Sequence, residues 1–302
     1  MERALMSRSS QQVPVAGGTL TVGIWDPEAS GTPVLAVHGI TATHRAWDLV
    51  AERLPERRII APDLRGRGGS GALPPPYGFA QHVEDLVAVL DHAGVERALI
   101  LGHSMGAFIA TRFAQRHPER VAGVVLVDGG LPITRPADLS EEQAAASLLG
   151  PALERLSMTF PDEEAYRAYW KRHPAFGPYW NAAIDAYIGY DLVGEGVART
   201  SSANPIAVAA DAQELDGRDG YASALLSLPA RTVLLLAPRG LSDDMPLFAT
   251  DTVSRWAREV PQLVPQVIPD VNHYTIIMTS AGAEATAMTV EERLNDPEKV
   301  NS

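Results

Sequence analysis

The 302-residue sequence predicts an α/β protein: a doubly wound, mostly parallel sheet carrying a helical cap insertion. Three observations carry that expectation. Short apolar runs recur along the chain, and they are continuous rather than alternating, as in strands buried on both faces. Amphipathic helical patterns stand between them, so strand and helix follow each other in series and imply right-handed crossovers. Between about Leu131 and Leu228 the pattern breaks. That stretch has helical pieces but no convincing buried strand, and nine of the chain's 19 aromatic residues fall within Phe160–Tyr190.

The apolar runs are Pro33–Val37, Arg58–Pro62, Ala98–Leu101, Gly123–Val127 and Thr232–Ala237. Phe79, Val83, Leu86, Val87 and Leu90 repeat at helical spacing, with Gly94 as a stop. Met105, Phe108, Ile109 and Phe113 do the same, and His117-Pro118 closes that helix. Val264–Val271 is a further short apolar segment. The expected division is a core made of residues 1–131 and 229–302, with residues 132–228 as a helical cap or lid. Most aromatic rings of the cap are expected to form its own core. Trp170, Tyr179, Trp180 and Tyr187 are the candidates for facing a substrate.

Composition excludes several functions. Lys and Arg number 25 against 37 Asp and Glu, a net charge of −12. So acidic a chain repels phosphate backbones and anionic lipid, and neither nucleic acid nor a membrane is an expected partner. There are no cysteines, which rules out disulfides and thiolate chemistry. The opening MERALMSRSS has no apolar core of signal-peptide length, and the expected location is cytoplasmic. Histidines and carboxylates form no metal-ligand spacing, and no metal or other cofactor is expected. The Gly-rich stretch Arg65–Gly71 follows a strand, but it lacks the lysine of a phosphate loop and fits dinucleotide order poorly. The adjacent carboxylates Glu163-Glu164, Asp243-Asp244 and Glu291-Glu292 cannot face each other from a helix, so they read as solvated faces.

One motif carries chemistry. Leu99-Ile100-Leu101-Gly102-His103-Ser104-Met105-Gly106 reads as strand, tight turn and helix start, with the turn in the form G-x-S-x-G. A serine hydroxyl is a weak nucleophile unless exposed and paired with a base. A sharp turn lifts Ser104 above the sheet, and the crowding it causes demands small residues two before and two after. Free N–H groups at the following helix start, and its positive dipole end, favour an oxyanion there. The pattern alone recurs by chance; its setting between an apolar strand and a helix makes it specific.

With that turn, Val37-His38-Gly39-Ile40 after a strand, Ala61-Pro62-Asp63-Leu64-Arg65-Gly66-Arg67-Gly68 and Asn272-His273-Tyr274, the chain resembles the α/β-hydrolase superfamily over about residues 15–295. The resemblance implies a Ser…Asp…His order, with Ser104 as nucleophile and His273 as general base. It implies an oxyanion hole from the backbone N–H groups of Met105 and Ile40. For the acid it leaves two aspartates. Asp128 ends the strand Gly123–Val127, where some members carry it. Asp243 follows the strand Thr232–Ala237, where most do, but here it comes several residues later than the usual turn. Asp128 is preferred and Asp243 is the alternative. His38 and His103 read as scaffold residues of their loops, and His44 as a surface residue, with a place at the pocket mouth as its alternative.

The expected reaction is hydrolysis of a carboxylic ester, lactone or thioester through an acyl-enzyme, on a small, mostly apolar substrate. Carbon–carbon hydrolysis, acyl transfer or perhydrolysis on the same triad is the alternative within the fold. A non-catalytic small-molecule receptor is the alternative from another class. A homodimer is the further partner option.

Overall fold

The computed structural model describes residues 8–133 and 152–295. The first seven residues and residues 134–151, the early part of the expected cap, lie outside the described residues.

Eight strands form one sheet: β1 (Arg8–Val15), β2 (Gly18–Trp25), β3 (Val34–Val37), β4 (Ile59–Pro62), β5 (Ala98–His103), β6 (Val121–Val127), β9 (Thr232–Leu236) and β10 (Leu263–Val267). A separate two-stranded ribbon joins β7 (Leu192–Val193) to β8 (Thr200–Ser201). The order across the large sheet is β1-β2-β4-β3-β5-β6-β9-β10. Strands β4, β3, β5, β6, β9 and β10 pair in parallel, while β1 and β2 run antiparallel at one edge. Each predicted apolar run is a parallel strand. The hairpin β1–β2 lies outside the predicted apolar runs. Its second strand is buried along six of eight positions, but β1 lies largely exposed at the edge and so lacks a continuous apolar run.

Alternation along the buried strands divides the interior in two. Leu35, Val37, Ile100, Val124 and Leu126 face one apolar cluster, completed by α2 (Phe79–His92) and α3 (Met105–Arg116). Val34, Ala36, Leu99, Leu101 and Val125 face the other, completed by α1 (Asp48–Ala51) and the C-terminal helix Ser280–Leu294. Both faces are therefore covered, as continuous apolar strands require.

Between β6 and β9 the described chain holds the helices Glu163–Lys171, Ala182–Asp191, Pro205–Ala212 and Tyr221–Leu226. Asp162, Asn181 and Asn204 cap the first three by accepting backbone N–H bonds. Phe160, Tyr166, Trp170, Phe176 and Tyr187 pack into the second cluster, against Trp47 and Ile276. The chain runs outward from β3 to β4 and then returns to the other side of β3 with β5. Loops leaving the carboxyl ends of β3 and β5 diverge there and open a crevice.

Candidate active site

The crevice collects the predicted residues. Ser104 leaves β5 with φ 56° and ψ −122°, a conformation costly for a residue with a side chain. Its surroundings enforce it. A Cβ on Gly102 would lie 2.3 Å from the Gly106 carbonyl oxygen, and one on Gly106 would lie 2.0 Å from that of Val37. Ser104 N–H donates to Val127 O at 2.9 Å, tying the turn to β6. Gly129 presses from the far side, where a Cβ would sit 2.2 Å from Ser104 O. The backbone is thus clamped between β3, β6 and the start of α3.

His273 enters from the loop after β10. Its Nδ1 lies 2.6 Å from Asp128 Oδ2, and both side chains are buried. The other carboxylate oxygen of Asp128 accepts from Ala237 N–H at 3.0 Å, so the acid is fixed at both ends. Of the two candidate acids, the structure brings Asp128 to the imidazole. Asp243 is engaged elsewhere. It accepts from Arg239 Nε at 2.8 Å, Asn272 Nδ2 at 2.9 Å and the Tyr179 hydroxyl at 3.1 Å. Burial works to raise its pKa, but those three hydrogen bonds prevail and hold it below the usual carboxylate range. Asn272, which it holds, precedes His273, and the Asn272 side-chain oxygen accepts from the N–H groups of Tyr274 and Thr275.

Ser104, His273, Met105 and Ile40 line one cavity of about 160 Å³. The loop carrying Ile40 comes within reach of the serine because Gly39 has no side chain: a Cβ there would stand 3.1 Å from Ser104 Cβ. Met105 opens α3, where backbone N–H groups have no intrahelical partner. Arg67, itself buried, donates from Nε to Ile40 O at 2.9 Å and pairs with buried Asp211 from the segment between β6 and β9.

The neighbouring histidines are scaffold. His38 Nδ1 lies 2.8 Å from Gly39 O, and its Nε2 accepts from Leu64 N–H at 2.9 Å. Burial lowers its pKa to about 4. His103 Nε2 lies 2.7 Å from His273 O; burial first, then the adjacent imidazole of His273, holds it neutral. His44 departs from its expected surface position: it is buried, with Nδ1 2.8 Å from buried Asp63.

Of the four aromatic residues expected to face substrate, Trp170 and Tyr187 line the cavity. Tyr179 and Trp180 do not. The Tyr179 hydroxyl is spent on Asp243, and Trp180 stacks beneath Lys171 Nζ at 5.1 Å. Residues that no motif marked also line it, above all Arg155, His173 and Tyr274. In the sequence Tyr274 stands out only as the neighbour of His273, while Arg155 sits in a helical turn and His173 in the bend just after the helix Glu163–Lys171, positions that no motif marks. Among the described residues, no group of three or more metal-ligating side chains converges and no helix is long and apolar enough to cross a membrane.

Comparison with known proteins agrees with this architecture. The profile of a family described as alpha/beta hydrolase fold matches residues 32–277. Lipase LipV of Mycobacterium tuberculosis is 40% identical over 95 residues, 32% of this chain and 36% of that protein. A putative 2-succinyl-6-hydroxy-2,4-cyclohexadiene-1-carboxylate synthase of Bacillus subtilis is 29% identical over 164 residues, 53% of this chain and 57% of that one. The aligned stretches thus span about a third to three fifths of these curated relatives. The solved structure of E-2-(acetamidomethylene)succinate hydrolase superposes with a TM-score of 0.76 at 22% identity, over 96% of this chain and 100% of that one, which is a likeness of fold.

Proposed function

The chain belongs to the α/β-hydrolase family, and we propose that within it this protein is a serine hydrolase acting on ester-type acyl bonds. The observation that carries the reading is the arrangement at one cavity: a serine forced out of a strained turn, and an imidazole whose far nitrogen rests on a buried carboxylate.

In this reading Asp128 accepts a hydrogen bond from Nδ1–H of His273, which keeps the proton there and leaves Nε2 as the basic nitrogen. As Ser104 Oγ bonds to the substrate carbonyl carbon, its proton passes to Nε2. The carbonyl electron pair moves to oxygen, and the Met105 and Ile40 N–H groups receive that charge. Collapse of the intermediate breaks the bond to the leaving alcohol, which takes the proton from Nε2. Water then repeats the sequence on the acyl-enzyme. Its oxygen bonds to the acyl carbon, one proton passes through His273, and Ser104 is released. The sum is ester plus water giving acid plus alcohol. Asp243 holds the histidine loop through Asn272, and the helical segment between β6 and β9 acts as the cap that closes the cavity.

A fluorophosphonate probe, which reacts with activated serines, should label the protein at Ser104. Ser104→Ala should remove both labelling and ester turnover while leaving the fold intact. Turnover that survives in Ser104→Ala overturns the reading.

A further inference from the structure

Arg155 is the anomaly of the cavity. The chain carries a net charge of −12, yet among the described residues no Asp or Glu lines this cavity, and Arg155 is its sole lining Arg or Lys. Its side chain is 1% exposed, and a guanidinium withdrawn from water is costly unless fully paired. Here the pairing is one-sided. Nη1 donates to Asp191 Oδ2 at 2.7 Å and to the Tyr166 hydroxyl at 2.8 Å, while Nε has no hydrogen-bond partner. A purely structural Arg–carboxylate pair gains most by the two-pronged fork, and that is not made.

Asp191, by contrast, is oversupplied. It also accepts from the hydroxyls of Tyr166, Ser201 and Ser202, the last at 2.7 Å. Its charge is shared among several donors, while among the described residues the guanidinium hydrogen-bonds through Nη1 alone. Arg155 Cζ lies over the Trp170 ring, 4.9 Å from its centroid, and both residues line the cavity. The positive field extends to the next lining group: His173 has its pKa lowered by burial first and by Arg155 second.

We propose that Arg155, set on Trp170 and braced by Asp191, is the carboxylate-binding subsite of this cavity, and that the substrate is an ester bearing a free carboxylate. The inference rests on the serine hydrolase reading of the same cavity and revises its expected apolar substrate. Ile40, Met105, Phe108, Leu247 and Met278 line the remaining wall and suit a hydrocarbon spacer. A half-ester of a short dicarboxylic acid combines these features: carbonyl at Ser104, apolar middle, anionic end at Arg155.

The test compares monomethyl esters of succinate, glutarate and adipate with neutral methyl esters of matched chain length. The best half-ester should exceed its neutral match in kcat/KM by about tenfold or more, the scale of one charge-assisted contact. In Arg155→Met the ratio of half-ester to neutral-ester kcat/KM should fall to about one, the loss lying chiefly in KM for the half-ester. Because Arg155→Met leaves Asp191 uncompensated, the double variant Arg155→Met/Asp191→Asn provides the same comparison with both charges removed. On the unaltered protein, calorimetric titration should show glutarate binding and neutral glutaramide failing to bind. Preference for neutral esters, an undiminished half-ester advantage in the double variant, or equal binding of glutarate and glutaramide overturns the subsite. Absence of both ester turnover and probe labelling defeats the hydrolase reading instead, while the glutarate titration still decides the subsite.

Discussion

His273 and Asp128 meet across 2.6 Å between Nδ1 and Oδ2, at the mouth of a sheet whose strands bring them from 145 residues apart. The pairing separates the two candidate acids by what each can do. Asp128→Asn would turn an amide N–H toward His273 and favour the wrong tautomer, so kcat should fall by roughly 10³ to 10⁴. Asp243→Asn removes a carboxylate that touches Asn272 rather than the imidazole, so its loss should be much smaller and accompanied by a lower melting temperature. Steady-state kinetics on both variants decides the matter; equal losses would mean that the acid role is not confined to Asp128.

The strained turn yields a packing prediction. Gly106→Ala would place a methyl 2.0 Å from the Val37 carbonyl oxygen, which belongs to a buried central strand and cannot retreat. Gly94→Ala meets nothing within 4 Å but must adopt φ 65°. The first should destabilise by several kcal/mol, in the range of overpacked cores, and the second by roughly 1 kcal/mol, the left-handed cost alone. Urea unfolding of the two variants measures the difference. A Gly106→Ala protein as stable as Gly94→Ala would show that the turn has room the geometry denies.

These two sites also show where sequence was sufficient. Ser104, Met105 and Gly102 through Gly106 are contiguous, and their spacing encodes a local shape that needs no partner to be recognised. The parallel strands announced themselves because burial on both faces leaves a continuous apolar run. Asp128 against Asp243 was harder, since either strand end can deliver a carboxylate and the choice depends on how the loop after β9 folds back. There Arg239 and Asn272 capture Asp243, contacts that composition does not encode. Arg155 left no sequence signal, because an arginine becomes unusual only once its burial and its neighbours are known. The exposed strand β1 escaped for the opposite reason: pairing with β2 defines it, and its outer positions carry little apolar patterning.

The Arg67–Asp211 pair links the expected oxyanion loop to the helix Pro205–Ala212, within the segment expected to form the cap. Asp211 also accepts from Gly78 N–H at 2.8 Å and stands 3.0 Å from His82 Nε2. Arg67→Met should leave that carboxylate with a buried charge short of its main cation and cost about 3–5 kcal/mol. It also frees the Ile40 carbonyl, so the adjacent N–H loses its aim. In the fraction that folds, kcat should drop by about tenfold or more with KM little changed, since the lost donor acts on the transition state. Arg67→Lys should recover stability better than rate, because lysine keeps the charge but lacks the geometry that spans Ile40 O and Asp211 together. A folded Arg67→Met enzyme with unaltered kcat would remove Arg67 as a positioning residue.

His38 sets a pH limit on stability. Its Nε2 must remain unprotonated to accept the Leu64 N–H, and burial depresses its pKa to about 4, against about 6.5 when unfolded. A depressed folded pKa means that the unfolded chain takes up the proton first as pH falls. The contribution is therefore complete above pH 6.5, declines between about 6.5 and 4, and is absent below. Across that window the loss from this one group is on the order of 3 kcal/mol, at no more than about 1.4 kcal/mol per pH unit. His103, shifted in the same direction, adds to the slope. Urea midpoints measured from pH 7 to 4 should fall steadily in the unaltered protein. His38→Gln, which keeps a neutral side chain that can accept from Leu64, should show a shallower fall by the equivalent of one proton. Identical slopes for the two proteins would mean that His38 takes up its proton alike in folded and unfolded chains, and that the loop before Ile40 does not depend on its neutrality.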